Sequence, residues 1–152
     1  MTLPDPEALA ARIVAASSDA ILYADRDGVV RLWNRGCEET FGWSAGEALG
    51  RSMDLIVPER LRGRHWDGWA KVMETGVTRY GKDVLAVPAA RKDGRPLSIE
   101  FTIALHRGAD GRIEGASAVI RDVPARWNQD RELRLRLAEA EAKRAARERG
   151  GP

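Results

Sequence analysis

The chain has two histidines and one cysteine, and His65 stands in the setting richest in chemistry. It closes the run Pro58-Glu59-Arg60-Leu61-Arg62-Gly63-Arg64-His65, directly after the apolar stretch Leu55-Ile56-Val57. A neutral imidazole in such a place is a metal ligand; it is equally a packed or solvated side chain. His106 precedes Arg107-Gly108 at the exposed end of a strand, a poor setting for a ligand. Cys37 is the lone thiol, so no intramolecular disulfide forms. It reads as a buried packing residue, and Met53 and Met73 read as core fillers. There is no nucleophile–base–acid set, no phosphate-cradling loop and no pair of catalytic carboxylates, so enzymatic activity is not expected.

The elements that position these residues follow from periodicity and punctuation. Pro4 to Ser17 reads as an amphipathic helix with Asp5 and Glu7 at its positive end. Ala20–Tyr23 and Val29–Trp33 form a hairpin across Asp25-Arg26-Asp27-Gly28. Asn34 caps a helix through Phe41, and Ser44 caps a shorter one closed by Gly50. Glu59–Gly63 and Trp66–Glu74 read as helix, stopped by Gly76. Strands follow at Arg79–Val87 (irregular at Gly81), Leu97–Leu105 and Ile113–Arg121, with turns at Arg91–Gly94 and Gly108–Gly111. Leu97, Ile99, Phe101, Ile103 and Leu105 fall on one strand face. Pro124 ends the last strand, and Arg126–Arg149 reads as a long helix. The fold class is α+β: a five-stranded antiparallel sheet with short helices on one face. We divide it into an N-terminal helix (1–17), a core (18–124) and a C-terminal helix (125–152).

At 152 residues, with 43% apolar and 32% charged side chains, the chain suits one compact core plus an exposed helix. The net charge of +2 divides unevenly: the stretch from Arg126 onward carries +3 and the remainder about −1. Acidic residues interleave with the basic ones there, so a solvated helix face is expected rather than nucleic-acid binding. No apolar run approaches the ~18 residues of a membrane span, and the N-terminus lacks a secretory pattern. With a single cysteine, a cytoplasmic location is expected.

In order and spacing, Ser18-Asp19-Ala20-Ile21, Asp27-Gly28, Trp33-Asn34-Arg35-Gly36-Cys37-Glu38, Phe41-Gly42-Trp43, Glu47-Ala48-Leu49-Gly50-Arg51, Lys92-Asp93-Gly94 and Arg121-Asp122-Val123-Pro124-Ala125-Arg126 resemble the PAS domain family over about residues 12–128. The last resembles the element that joins a PAS core to its signalling helix, with Pro124 where a Thr is usual. PAS relatives bind haem, flavin, small metabolites, metal ions or nothing, so the resemblance leaves function to the residues.

Photoactive flavin is not expected. Light-sensing relatives carry a reactive Cys where Gly50-Arg51-Ser52-Met53-Asp54-Leu55-Ile56 has Met53. Haem is the stronger candidate. Pro58–His65 resembles, without a gap, the element whose histidine is the proximal iron ligand in FixL-type haem sensors. That resemblance implies b-type haem (heme b) ligated by His65, the metal site. Lys71 and Arg79 then fall at propionate-contacting positions, and Ile99, Phe101 and Ile103 on the sheet face lining the gas side. Leu85 replaces the Arg that hydrogen-bonds oxygen in that type. Tyr80, or less readily Arg79, would supply a polar distal group, and Asp83 lies nearby. Trp66 and Trp69 replace smaller or more polar residues; they either stack beside a porphyrin or fill its cavity.

Two functions therefore stand side by side. One is a cytoplasmic sensor binding haem through His65 and responding to a diatomic gas or to redox state. The other is a PAS module without cofactor, or with another small ligand, that dimerises and recruits protein. In both, the N- and C-terminal helices are expected to form a homodimer, with a short coiled-coil seam at Leu133, Leu137, Ala140 and Ala145 and Leu135 off the seam. A separate downstream protein or effector domain is the expected partner.

Overall fold

The computed structural model describes residues 1–78, 85–123 and 125–151. It divides into two compact units, Met1–Asp122 and Val123–Pro152.

In the first unit, α1 (Pro6–Ala16) begins where the Asp5 carboxylate accepts the Ala8 amide at 2.8 Å. Its start is at the second proline of the segment, since proline suits the first helical turn. None of its residues is buried. β1 (Ala20–Asp25) and β2 (Val30–Trp33) form the expected hairpin. Asp25 organises the turn by accepting the Asp27 and Val29 amides, both at 3.0 Å. α2 (Arg35–Phe41) ends at Gly42, whose φ of 81° is a left-handed conformation open to glycine. α3 (Ala45–Ala48) carries a reciprocal capping box between Ser44 and Glu47. Tight 3-10 turns at Met53–Leu55 and Glu59–Leu61 lead into α4 (Arg62–Thr75), which Gly76 closes. Gly63 therefore does not interrupt the helix; α4 runs continuously past it.

β3 (Leu85–Ala90), β4 (Pro96–Arg107) and β5 (Ile113–Asp122) complete the sheet. The strand order is β2-β1-β5-β4-β3, with every pairing antiparallel. The expected strand start at Arg79–Gly81 lies outside the described residues. Its end is three residues later than periodicity suggested, because β3 is an edge strand and tolerates Pro88.

One sheet face is buried. Ala20, Leu22 and Ala24 of β1, Leu97 and Ile99 of β4 and Ile120 of β5 pack with Val30, Trp33, Cys37, Phe41, Met53 and Leu55. Asn34 ties the N-terminal end together. Its side-chain oxygen accepts the Ile21 amide at 2.8 Å and the Cys37 amide at 3.0 Å, and its nitrogen donates to the carbonyls of Val14 (2.8 Å) and Asp19 (3.0 Å). Cys37 is fully buried, and burial pushes its thiol up to about 12. It is an inert packing residue at neutral pH.

In the second unit, α5 (Ala125–Arg149) is a single long helix. Along it Arg136 pairs with Glu132 and Arg144 with Glu148, both one turn apart. Leu133, Leu135 and Leu137 are exposed.

Candidate ligand hollow beside His65

α4 lies over the inner sheet face and presents a mixed aromatic and aliphatic surface to it. A helix advances about 100° per residue, so Trp69 and Val72 share the face of His65, with Trp66 and Met73 at its margins. The two indoles are pinned from outside the helix. Trp66 Nε1 donates to Asp54 Oδ1 at 2.7 Å, and Trp69 Nε1 donates to the Arg26 carbonyl at 2.9 Å. The Trp66 ring also lies over Gly28: a Cβ there would sit 2.2 Å from it. This close approach requires glycine, beyond the turn's φ of 78°. Trp66, Trp69, Val87, Phe101 and Ala118 pack on the main buried cluster. Trp69 also packs with Val72, Ile103 and Leu105 on a second cluster of Met73, Ile113 and Ala116.

His65 is half-buried and held by these rings. Its imidazole stands edge-on to Trp66 at 4.7 Å between centroids and stacks on Trp69 at 6.2 Å, 21° from parallel. Its Nδ1 is buried and has no hydrogen-bond partner among the described residues. Burial lowers its pKa, against an opposing pull from the Asp54 carboxylate. The ring is therefore neutral at pH 7, the form that can ligate a metal.

The other sequence-derived candidates are only partly gathered here. Ile99 is buried in the core, while Phe101 and Ile103 are half-buried on the same β4 face. Leu85 lies opposite Phe101 in the β3–β4 register. Lys71 is exposed and sits about 120° round α4 from His65, away from the hollow. Arg79, Tyr80 and Asp83 lie outside the described residues. His106 is exposed, with Nε2 2.8 Å from Ser117 Oγ, on the face of β4 opposite Ile103 and Leu105. Among the described residues no group of three His, Cys, Asp or Glu is arranged to hold a metal ion.

These residues do not fit a porphyrin. The indoles, anchored to Asp54 and Arg26, take the space between α4 and the sheet. Two cavities of 380 and 280 Å³ open elsewhere on the surface, and neither is lined by His65, Trp66 or Trp69. Sequence alone left the indoles' role open because a tryptophan's packing depends on the hydrogen-bond partner its N–H finds.

A family model described as "PAS fold" matches residues 14–127. The chain belongs to the PAS family. It is 30% identical over 128 residues to an uncharacterized protein of Azorhizobium caulinodans, covering 84% of this chain and 17% of that one. It is 28% identical over 85 residues to sensor protein FixL of Bradyrhizobium diazoefficiens, covering 56% of this chain and 17% of FixL. The chain thus spans about a sixth of each of these relatives. Two solved structures share the fold. The PAS domain of a Colwellia psychrerythraea protein aligns at TM-score 0.68 with 24% identity over 78% of this chain and 98% of that one. An RNA-binding light-oxygen-voltage receptor aligns at TM-score 0.72 with 22% identity over 95% and 42%. No helix among the described residues is long and apolar enough to cross a membrane.

Proposed function

We propose that this chain is the sensory and signal-relay module of a cytoplasmic signalling system, non-enzymatic, and working without haem in the hollow beneath α4. The observation that carries this reading is the pair of anchored indoles, Trp66 on Asp54 and Trp69 on Arg26, packed on the apolar clusters beneath α4. The module is organised as an N-terminal helix, a PAS core to residue 124 and a C-terminal helix. It passes its state along β4 and β5 to α5, and from there to a separate effector or partner protein. It forms a homodimer through α1 and α5, whose apolar residues Ile13, Leu133, Leu135 and Leu137 are exposed in the single chain. Light scattering of the intact chain and of a Leu133→Glu/Leu137→Glu variant tests this: a dimer that becomes a monomer is expected, and a monomer in both cases overturns it.

A second reading is favoured by one observation, the buried and unpartnered Nδ1 of His65, together with the likeness to FixL. In that reading His65 would hold b-type haem, with Ile99, Phe101 and Ile103 lining the pocket. Haem would supply an iron that responds to a diatomic gas or to redox state. It requires both indoles to leave their partners. Addition of haem separates the readings: a saturable Soret band lost in His65→Ala supports the second and overturns the first.

A further inference from the structure

In the unit Met1–Asp122, Arg31, Arg35, Arg62, Arg91, Arg95, Arg121 and Lys92 each have a carboxylate partner. Among the described residues of this unit Arg12, Arg26, Arg51, Arg60, Arg64, Lys71, Arg107 and Arg112 make no ion pair, and of these Arg26, Arg107 and Arg112 meet at one cavity of 280 Å³, lined also by Glu74, Gly76 and Gly111. The cavity sits where the end of α4 meets the β4–β5 turn.

Two of the guanidiniums are held in place by main-chain carbonyls. Arg26 Nη1 donates to Ile113 O at 2.7 Å and Met73 O at 3.3 Å, and Arg107 Nη1 donates to Gly111 O at 2.9 Å. Each therefore keeps its Nε and Nη2 donors for another partner. The bond to Met73 O also covers a carbonyl of the last turn of α4, where the helix end would otherwise repel an anion. Arg107 Nη2 lies over Gly76, 2.6 Å from where a Cβ would be, so that glycine gives the guanidinium its place. The nearby acids are Glu74 in the lining, Glu114, whose carboxylate lies over Gly108, and Asp110, whose Oδ1 accepts the Arg112 amide at 3.0 Å. Of these only Glu74 lines the cavity, against three guanidiniums.

We propose that this cavity is a binding site for a small oxyanion, a phosphate group before a dicarboxylate, held by Arg26, Arg107 and Arg112. Planar guanidiniums recognise phosphate and carboxylate oxygens in pairs, and fixing them beforehand lowers the cost of binding. An occupant would clamp the end of α4 to the turn between β4 and β5, the strands that lead toward α5. The site adjoins the hollow beside His65 through Arg26, whose carbonyl accepts the Trp69 indole, but His65 does not line it.

The test is an amide NMR titration of the whole chain with inorganic phosphate, then with succinate, each against sodium chloride at equal ionic strength. Saturable shifts at Gly76, Gly111 and Ile113 with phosphate are expected; saturation by succinate alone keeps the site and assigns it to carboxylates. Arg107→Gln and Arg112→Gln should each weaken binding roughly tenfold. Arg112 makes no side-chain bond among the described residues, so its loss leaves the fold intact. Gly76→Ala keeps every charge but displaces the Arg107 guanidinium, and should weaken binding as well. Arg95→Gln, at the opposite turn, should change nothing. Shifts that follow ionic strength alone, or an unchanged midpoint in both Arg107→Gln and Arg112→Gln, overturn the proposal.

Discussion

Asn34 and His65 are both polar side chains set among apolar neighbours, and the fold treats them in opposite ways. Asn34 is 6% exposed and every polar atom of its amide is engaged, joining α1, β1 and α2 through main-chain partners. His65 has a buried nitrogen with no partner among the described residues and is kept in place by two indoles. A satisfied buried network fixes a unique arrangement, whereas an unsatisfied group costs energy without specifying structure. The N-terminal corner is therefore a built joint. The face of α4 is an aromatic wedge that holds by packing and by two indole N–H bonds.

The sharpest way to break this contrast is Asn34→Ala. It removes the N-cap of α2 and strands several buried main-chain groups, so a loss of about 3 kcal/mol or more is expected in urea unfolding. A loss under about 1 kcal/mol would mean the joint is not built as described. Trp69→Ala comes next. It removes a large half-buried ring and its bond to Arg26, and about 2–3 kcal/mol is expected by the same measurement.

His65→Phe should lie within about 0.5 kcal/mol of the parent, because an apolar ring replaces an unpartnered polar one. Its pH dependence carries a sign. Burial holds the folded pKa of His65 below its ordinary value. The unfolded chain takes up a proton as pH falls through about 6.5 while the folded chain does not. The parent should therefore lose stability between about pH 7.5 and 5.5 relative to His65→Phe, and equal pH profiles would contradict this.

The smallest effect lies at the β3–β4 hairpin. There the Lys92 ammonium, with the Ser44 amide, holds the exposed Glu47 carboxyl at about 2. Lys92→Ala should raise that value toward the ordinary ~4.3, read by carbon NMR of the carboxyl, with little change in stability.

Much of this architecture was legible in the residues. Leu97, Ile99, Phe101, Ile103 and Leu105 alternate on β4 because one sheet face is buried, and Asn34, Gly42 and Ser44 mark helix ends through their own hydrogen bonds or left-handed backbone. Pro88 misplaced the end of β3, since edge and central strands look alike along the chain. The site was harder to read. Pro58–His65 gives the same imidazole whether α4 presents it to an open cavity or wedges it between rings. What decides is the bond from Trp66 to Asp54 and from Trp69 to Arg26, across separations of 12 and 43 residues that no local pattern encodes. The arginine cavity is likewise non-local. Arg26 and Arg107 stand beside ordinary turns, and only their meeting in one cavity marks them.

The most direct test of the filled hollow is the indole N–H region of the nitrogen–proton NMR spectrum, recorded before and after one equivalent of haem. With Trp66 bonded to Asp54 and Trp69 to Arg26, both signals should exchange slowly with solvent and stay in place. Loss or large displacement of both signals, absent in His65→Ala, would contradict the account and show a porphyrin where the indoles lie.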